Sequence, residues 1–316
     1  MSAFPRTAWI WKDGEFLPWE SATLHVMSHV VHYGSSVFEG MRCYTTPDGP
    51  AVFRLPEHIR RLYESAKVYR MAPAHTPSAL AEACCELVRR NGLAECYIRP
   101  ITLRSLGAAG VSPLNSPVET YIICWPWGAY LGAAALESGV SARVSSWFRP
   151  APNTMPAGVK AGGNYLNSQL IKMEALADGY DEGIALGPGG MVSEGSGQNI
   201  FLVRDGTLIT PAVDGTLLRG ITRDSIIAVA RDLGIHVREQ AVPRESLYNA
   251  DEAFFTGTAA EVTPIRSIDR IEIADGKVGP ITRAVQRKLL AIAHGDAPDT
   301  HGWLTRVAQA TRVEVA

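Results

Sequence analysis

Lys160 is the residue of this sequence whose type and surroundings most clearly suggest chemistry. It lies in the segment 156–165 (PAGVKAGGNY), among small residues with no acid beside it and just before a predicted helix. Desolvation in such a place favours the neutral amine, which is a nucleophile able to form a Schiff base. The alternative is a solvated lysine in a surface loop.

An acid and two groups of hydrogen-bond donors could complete a site with this lysine. Glu194 begins the glycine-rich turn 194–197, where a carboxylate can be held against a ring nitrogen. Residues 220–222 (GIT) open a predicted helix and residues 256–260 (TGTAA) follow a predicted strand, so both offer N–H groups and hydroxyls to a phosphate. A pyridoxal phosphate site needs these components. Each of them alone is also typical of an ordinary turn or cap.

Other chemistries lack their sequence motifs. Neither GxGxxG nor GxxxxGK[ST] occurs, which disfavours dinucleotide and nucleoside triphosphate sites, and a GxSxG nucleophile elbow is also absent. The histidines His25, His29 and His32 have the i, i+4, i+7 spacing of a helical metal site. Their segment is rich in β-branched and aromatic residues, as in an extended chain, and contains no acidic ligand, so we expect no metal.

The composition is that of a globular enzyme that acts on a small molecule. The 316 residues include 30 Lys and Arg against 32 Asp and Glu, and this balance provides no field for nucleic acid or an anionic membrane. Five cysteines form neither a disulfide framework nor a CxxC pair. No secretory signal is evident, and the uncharged stretch 120–136 is broken by proline and glycine, so we expect a cytoplasmic protein.

Turn and capping residues divide the first half of the chain into elements of an α+β unit. Thr76 has the position of a helix N-cap and Gly92 that of a helix end. The predicted elements are a hairpin over 9–17, helices over 58–72 and 76–92, and strands over 96–103 and 119–125.

A Gly- and Ala-rich segment separates this half from a strand-rich second half. We expect a small α+β domain at 1–129, an interdomain loop at 130–138 and a large domain at 139–316. The predicted elements of the second half are hairpins over 183–194 and 199–211 and helices over 164–178, 222–233 and 282–293. The expected fold class is therefore α/β, of α+β type, with two domains.

Several long motifs follow one another along nearly the whole chain. They are HYGSSVFEGMRCY at 32–44, YIRP at 97–100, PWGAYLG at 126–132, SSWFRPAPNTMPAGVKAGGNYLNS at 145–168, GYDEGIALGPGGMVSEGSGQNIF at 179–201, GITRDSI at 220–226 and GTAAEVTPI at 257–265. In these motifs the sequence closely resembles the branched-chain amino acid aminotransferases, which are pyridoxal phosphate enzymes of fold type IV. The resemblance implies a two-domain fold with pyridoxal 5′-phosphate bound at the domain interface.

The resemblance implies a catalytic lysine and a set of cofactor-binding residues. Lys160 would hold the cofactor covalently and carry the substrate Cα proton, Glu194 would pair with the pyridine nitrogen, and Tyr165 would hydrogen-bond the phenolic oxygen. Arg61 would bind the phosphate through its planar fork of donors. The other implied cofactor contacts are Leu218 against the ring and Ile221, Thr222 and Thr258 on the phosphate.

The resemblance also implies a substrate pocket with an apolar and a polar face. The apolar face, for Leu, Ile or Val side chains, would consist of Tyr33, Phe38, Trp127 and Tyr130, with Val111 contributed by a partner subunit. The polar face would hold the α-carboxylate through Tyr97 and the backbone of Ala259 and Ala260. Arg99 would accept the γ-carboxylate of glutamate, which lets one pocket take an aliphatic chain and a charge in turn.

The implied activity is ping-pong transamination between branched-chain L-amino acids and 2-oxoglutarate, by a homo-oligomer that is at least a dimer. D-amino acid aminotransferases and R-selective amine transaminases are the nearest alternatives, because they share the lysine, the glutamate and the phosphate site. The motifs FEGMR at 38–42 and YIR at 97–99 favour the branched-chain L-amino acid assignment. A non-catalytic binding protein of this fold is a further alternative, disfavoured because a binder needs no Schiff-base lysine. A lyase that uses the same cofactor is another.

Overall fold

The computed structural model describes residues 4–128 and 132–308, which form two compact units. Within the described residues, the first unit comprises 4–127, 161–163 and 291–308, and the second comprises 128, 132–160 and 164–290. Each unit contains one β-sheet with accompanying helices. The mixed α/β fold class expected from the sequence is confirmed.

The described residues form seventeen strands and seven α-helices. The strands are β1 (Trp9–Lys12), β2 (Glu15–Pro18), β3 (Ser36–Phe38), β4 (Met41–Thr46), β5 (Gly49–Phe53), β6 (Cys96–Arg104), β7 (Val118–Trp125), β8 (Val140–Val144), β9 (Glu182–Leu186), β10 (Val192–Gly195), β11 (Asn199–Arg204), β12 (Thr207–Pro211), β13 (Val237–Gln240), β14 (Glu252–Gly257), β15 (Glu261–Ile268), β16 (Ile271–Glu272) and β17 (Leu304–Arg306). The helices are α1 (His29–Tyr33), α2 (Leu55–Val68), α3 (Pro77–Arg90), α4 (Ala133–Ser138), α5 (Tyr165–Ala177), α6 (Ile221–Asp232) and α7 (Pro280–Ala293). Of the helices that the structure describes, none combines the length and the apolar character needed to cross a bilayer.

The sheet of the first unit has eight strands, and all of its strand pairs are antiparallel. Its order is β17-β5-β4-β6-β7-β1-β2, and β3 pairs with β6 beside this path. α3 packs against β1, β6 and β7, and α2 packs against α3. The hydroxyl of Thr76 caps α3 by accepting from the N–H of Ala79, and the helix buries Leu80 and Leu87 on one face. Capping and a helical stripe of apolar residues therefore account for this helix.

All five cysteines lie in the first unit as free thiols. Cys43 and Cys96 face each other across β4 and β6. Burial raises the pKa of Cys85 to about 11, and the neighbouring Cys43 and Glu82 add to this shift. This thiol is therefore protonated and unreactive at neutral pH.

The sheet of the second unit has nine strands and mixes parallel with antiparallel pairs. Its order is β10-β9-β8-β15-β14-β11-β12-β13, and β16 pairs with β15. β8 runs parallel to β9 and β15, and β12 runs parallel to β13. The rings of Phe201 on β11 and Phe254 on β14 are fully buried and stack with centroids 5.1 Å apart. This packing fixes the two central strands that lead toward the candidate site.

Most of the predicted elements are confirmed, with ends shifted by a few residues. They are the hairpin β1–β2, α3, β6, β7, the hairpins β9–β10 and β11–β12, and the helices α5, α6 and α7. α2 begins at Leu55 and ends at Val68, earlier than the predicted 58–72. Pro56 is favourable in the first helical turn, and Arg70 takes a left-handed conformation with a φ of 53°, which is incompatible with a continuing helix.

Residues 29–33 form the helix α1, where we expected an extended chain, so this expectation is wrong. The backbone N–H of His29 donates to the Ser105 carbonyl. Its ring nitrogens lie 2.5 Å from the Ser35 hydroxyl and 3.1 Å from the Gly110 carbonyl. These contacts with distant residues outweigh the strand propensity of the β-branched residues nearby. Among the described residues, no group of three histidines, cysteines or acids is arranged to hold a metal ion.

The segment between the two halves and the C-terminal segment both differ from expectation. α4 occupies part of the expected loop 130–138, because alanine and leucine at 133–136 favour a helix. β17 pairs with β5, so residues 291–308 belong to the first unit, whereas we expected all of 139–316 in the large domain. The division of the domains within 130–138 stays a prediction.

Candidate active site

Lys160 and Tyr165 are in direct contact in the second unit. Nζ of Lys160 donates to the phenolic oxygen of Tyr165 at 2.5 Å. The amide of Asn164 donates to the carbonyls of Pro156 and Val159 at 3.1 and 3.0 Å, and so fixes the backbone before the helix. α5 begins at Tyr165, which places the amine beside the first turn of this helix. A phenol at this distance can hold the amine in one orientation.

Glu194 is a buried carboxylate on β10, with 8% of its surface exposed. Its Oε2 accepts from the side-chain amide of Asn199 at 3.1 Å and from the N–H of Leu218 at 3.3 Å, and its Oε1 lies 3.2 Å from Nε of Arg149. Burial raises the pKa of Glu194, whereas Arg149, the Leu218 N–H and Lys160 act in the opposite direction. Such a carboxylate is stabilised by a cation placed beside it, such as a protonated ring nitrogen.

Asn199 also fixes the segment that precedes α6. Its amide donates to the Leu218 carbonyl at 2.9 Å. A β-carbon at Gly220, the residue before α6, would lie 2.0 Å from Oδ1 of Asn199, so glycine is required there. The predicted ring contact Leu218 and the predicted phosphate contacts Ile221 and Thr222 therefore lie in a segment of fixed conformation.

The N-terminus of α6 and the turn after β14 supply backbone donors. The first N–H groups of a helix have no acceptor within that helix, and Ile221 and Thr222 are the first residues of α6. The turn 258–260 follows β14, whose Thr256 pairs with Asn199 on β11. The predicted phosphate contacts at 221, 222 and 258 thus follow two segments that both contact Asn199. Such donors suit an anion.

Two buried threonines fix the turn after β14. Oγ1 of Thr256 donates to the Glu261 carbonyl at 2.9 Å, and Oγ1 of Thr263 donates to the Ala260 carbonyl at 2.7 Å. Glu261 has a φ of 52°, a conformation that costs a non-glycine residue about 1–3 kcal/mol and requires support from its surroundings. The N–H groups of Ala259 and Ala260, predicted to bind the substrate carboxylate, are therefore held in place.

Glu39, His58 and Arg61 form a buried cluster in the first unit. Arg61 donates through Nε to Oε1 of Glu39 at 2.5 Å and through Nη2 to Oε2 at 2.8 Å, and Nδ1 of His58 donates to Oε2 at 2.7 Å. Burial by itself raises the pKa of Glu39, but the Arg61 charge and the hydrogen bonds from Arg61 and His58 outweigh it, so the pKa lies well below its usual range. The carboxylate therefore orients the guanidinium of Arg61, the predicted phosphate ligand.

Glu39→Gln is expected to destabilise the protein by about 3 kcal/mol at neutral pH, because it removes the buried negative charge that faces Arg61. Folding lowers the pKa of Glu39 from 4.5, so its contribution to stability is fully present above about pH 4.5 and is lost as the pH falls toward the lowered pKa. Urea unfolding of wild type and variant at about pH 7 and about pH 3.5 should show a difference that shrinks in acid. Glu64→Gln on the exposed face of α2 is the control. A difference in free energy of unfolding between wild type and Glu39→Gln that is equal at both pH values would contradict this account.

Arg99 lies among aromatic rings in the first unit. Its Nη2 donates to Oη of Tyr97 at 3.4 Å, and its guanidinium lies 4.8 Å from the Phe38 ring centroid. Tyr97 and Trp127 meet edge to face at 4.6 Å. A β-carbon at Gly40 would lie 1.8 Å from the Tyr97 hydroxyl, so glycine is required there. The buried Nε of Arg99 has no hydrogen-bond partner among the described residues, which suits an anionic ligand.

Two predicted pocket residues are exposed. Tyr33 at the end of α1 is 49% exposed and Val111 is 83% exposed. His29 links the two segments, because its ring packs 4.5 Å from the Tyr33 ring and bonds to the carbonyl of Gly110. Both side chains are therefore accessible to solvent. Tyr130, the remaining predicted pocket residue, lies outside the described residues.

Comparison with known proteins assigns the chain to a family. The family model described as amino-transferase class IV matches residues 36–268. The chain belongs to the class IV aminotransferases. This class IV aminotransferase is 51% identical over 302 residues to the branched-chain-amino-acid aminotransferase of Escherichia coli (strain K12). The aligned region covers 95% of this chain and 98% of that one.

Solved structures support this family assignment. The crystal structure of the Escherichia coli branched-chain amino acid aminotransferase matches with a TM-score of 0.94 and 50% identity over 96% of this chain and 100% of that one. The T.th. branched-chain amino acid aminotransferase, complexed with N-(5′-phosphopyridoxyl)-L-glutamate, matches with a TM-score of 0.92 and 47% identity over the same shares. The family resemblance and the fold inferred from the sequence motifs are confirmed.

The predicted site residues form two sets, one in each unit. The second unit contains Lys160, Tyr165, Glu194, Leu218, Ile221, Thr222, Thr258, Ala259 and Ala260, and the first contains Tyr33, Phe38, Arg61, Tyr97, Arg99, Val111 and Trp127. Glu39 and Arg149 are not among the predicted site residues, although both lie inside the motifs quoted above. A charged residue within an otherwise apolar motif is the signal that could have indicated them. The roles of the predicted residues stay predictions.

Proposed function

We propose that this class IV aminotransferase exchanges the amino group between branched-chain L-amino acids and 2-oxoglutarate, giving branched-chain 2-oxo acids and L-glutamate by a ping-pong mechanism with pyridoxal 5′-phosphate. The observation that carries the proposal is the nearly full-length similarity to the Escherichia coli branched-chain enzyme. The T.th. relative is complexed with N-(5′-phosphopyridoxyl)-L-glutamate, which supports glutamate as the second amino acid.

The residues of the second unit fit pyridoxal phosphate in three respects. Lys160 offers a primary amine beside a phenol, Glu194 offers a buried carboxylate, and the start of α6 offers backbone donors for a phosphate. When bound, the cofactor supplies an electron sink that makes the proton on the substrate Cα removable. The binding of the cofactor where the two domains meet stays a prediction.

Lys160 and Glu194 have separate tasks in the proposed reaction. Nζ of Lys160 would take the proton from the substrate Cα, while the Tyr165 hydroxyl orients this amine. Glu194 maintains the positive charge on the ring nitrogen. Because Asn199 and Leu218 both donate to Oε2, the carboxylate is fixed before the cofactor binds.

Arg99 and the aromatic residues around it account for the binding of two kinds of side chain. The rings of Phe38, Tyr97 and Trp127 offer apolar surface to Leu, Ile or Val. The γ-carboxylate of glutamate or 2-oxoglutarate would pair with Nε of Arg99, the buried donor described above. The aromatic rings around the guanidinium stabilise its charge while an aliphatic substrate is bound.

Product analysis with paired enantiomers tests the proposal. L-leucine, D-leucine and (R)-1-phenylethylamine are each incubated with 2-oxoglutarate and the purified holoenzyme, and L-glutamate and the oxidised donor are measured by mass spectrometry. L-leucine should give 4-methyl-2-oxopentanoate and L-glutamate in equal amounts. Turnover of D-leucine or the amine alone would instead assign the chain to a sibling activity of the same fold.

Thr263→Val is expected to raise the KM for 2-oxoglutarate roughly five- to thirtyfold, with a smaller effect on kcat. The change keeps the side-chain size but removes the hydroxyl that holds the Ala260 carbonyl, so the carboxylate-binding turn relaxes. Thr210→Val is the matched control, because Thr210 is also fully buried and donates to the Ile200 carbonyl at 2.9 Å. Steady-state kinetics that show the same rise in KM for both variants would refute a specific role of the turn.

We also propose that the enzyme is a homo-oligomer, at least a dimer. The loop after β6 exposes Leu106, Val111 and Leu114 at 50%, 83% and 60%, and Val26 and Val31, just before and within α1, are also exposed. Exposed apolar side chains grouped in this way are typical of an interface. Analytical ultracentrifugation combined with activity assays should place all activity in dimers or larger species, and an active monomer would contradict the proposal.

A cytoplasmic location is proposed for this activity. All five cysteines are free thiols and four of them are buried, which is typical of proteins in a reducing compartment. Fractionation of the source cells should recover the activity with cytoplasmic markers, and recovery with secreted proteins would overturn this assignment.

A further inference from the structure

Arg149 is a buried arginine without an assigned role in the proposed reaction. It lies after β8, is 7% exposed, and its backbone N–H donates to the Leu186 carbonyl at 2.9 Å. Its side chain therefore starts from a fixed position at the end of β9. A buried guanidinium requires several acceptors, because its desolvation is costly.

The guanidinium of Arg149 connects two parts of the second unit. Nη1 donates to Oδ1 of Asn167 at 3.1 Å and to Oγ of Ser168 at 3.0 Å, and both of these residues belong to α5. Nη2 donates to the carbonyls of Gly195, the last residue of β10, and Ser196, which follows it, at 2.6 and 2.9 Å. α5 begins with Tyr165, so the helix that carries the lysine's partner is joined to the strand that carries the buried glutamate.

The remaining donor of Arg149 lies beside Glu194. Nε is 3.2 Å from Oε1, which is an ion-pair distance, although its N–H makes no hydrogen bond with described residues. Oε2 is occupied by Asn199 and Leu218. Arg149 thus contributes charge to one carboxylate oxygen while neutral donors hold the other, and the positive charge favours the ionised form of the buried acid.

We propose that Arg149 is a positioning residue that keeps Glu194 ionised and holds it at a fixed distance from the Lys160–Tyr165 pair. This inference rests on the proposed function and deepens it, because it assigns the control of the cofactor's ring charge to a residue outside the predicted cofactor contacts. Lysine cannot replace the arginine, because four acceptors on two elements and one ion pair require a planar fork of five donors. Burial has the largest effect on the pKa of Glu194 and raises it. Among the groups that lower this pKa, Arg149 has the largest effect.

The test compares Arg149→Lys and Arg149→Met with wild type and with Arg143→Met. Arg143 is a suitable control because it lies on β8 and pairs with Glu174 and Asp178, away from Glu194. Three quantities are measured on the purified proteins: the dissociation constant of pyridoxal phosphate, the pH dependence of the bound cofactor's absorbance, and kcat and KM. The thermal midpoint of each unloaded protein reports folding.

Both Arg149 variants should weaken pyridoxal phosphate binding and lower kcat by roughly tenfold to a hundredfold, as the loss of a supporting residue typically does. The pH dependence of the cofactor's absorbance should also shift relative to wild type. Arg149→Lys that folds, with a lowered thermal midpoint but wild-type cofactor affinity, pH dependence and kcat, would show a merely structural role and overturn the inference.

A double-mutant cycle separates action through Glu194 from a general loss of order. In the Glu194→Gln background, Arg149→Met should lower kcat by much less than it does in wild type, because there is no carboxylate left to keep ionised. Equal effects in the two backgrounds would overturn the inference. Failure of the proposed function is distinguishable, because wild type itself would then fail to transaminate L-leucine with 2-oxoglutarate.

Discussion

Lys160→Ala should lower kcat for L-leucine with 2-oxoglutarate by about 10⁴-fold or more, since one side chain serves as both covalent anchor and proton carrier. Its amine is held by the Tyr165 hydroxyl at 2.5 Å. Alanine provides neither a nucleophile nor a base at this position. The kcat is measured by formation of 4-methyl-2-oxopentanoate, and the loss should exceed that of any other single substitution in the site.

The covalent attachment of the cofactor is a second quantity to be measured for this variant. After borohydride reduction, the intact mass of wild type should include the cofactor, whereas the mass of Lys160→Ala should not. Lys277→Ala is the matched control, because Lys277 is an exposed lysine of the same unit that pairs with Asp275 in a surface turn. A Lys160→Ala variant that retains most of the wild-type rate would refute the mechanism.

Glu194→Gln should lower kcat by about 10²–10³-fold, as the loss of one electrostatic group at a reacting centre typically does. Glutamine keeps the size of the side chain but cannot stabilise a positive charge on the ring nitrogen. Glu182→Gln is the control, because Glu182 is also a buried carboxylate, on the neighbouring β9, which pairs with Lys172 and accepts a hydrogen bond from the Gln198 amide. A Glu182→Gln variant with an equal loss of kcat would attribute the effect to lost buried charge in general.

The same substitution has an expected pH dependence of stability. Burial raises the pKa of Glu194 against the opposing effect of Arg149, so the folded protein holds this proton to higher pH than the unfolded chain does. The stability of wild type is therefore reduced as the pH rises through the raised pKa, and Glu194→Gln lacks this penalty. In urea unfolding of the unloaded proteins, the free energy of unfolding of the variant relative to wild type should increase with pH. If the free energy of unfolding of the variant relative to wild type decreased with pH, burial could not be the cause of the raised pKa of Glu194.

Local signals were sufficient to predict many of the elements and the main candidates for chemistry. Thr76 predicted the start of α3 because a hydroxyl cap acts within four residues. The predicted hairpin over 199–211 contains the turn-forming pair Asp205 and Gly206, and both have positive φ between β11 and β12. Lys160 was recognisable because small residues and no acids surround it in the sequence. In each case the physical cause lies within a few residues of the effect.

Features that depend on distant residues were not predictable in the same way. α1 is helical because His29 bonds to residues as far away as Gly110, and no residue within α1 indicates this. Glu39 meets Arg61 across 22 positions, and Arg149 meets Glu194 across 45. Long-range side-chain contacts determine both pairs, so the motif resemblance could include these residues without giving them a role.

The two half-reactions, followed by absorbance, test the central claim most directly. L-leucine is added to the purified holoenzyme and the visible band of the bound cofactor is followed, and 2-oxoglutarate is then added. We predict that L-leucine abolishes the band and that 2-oxoglutarate restores it. A band that L-leucine leaves unchanged, while D-amino acids or simple amines abolish it, would contradict the assignment to branched-chain L-amino acids.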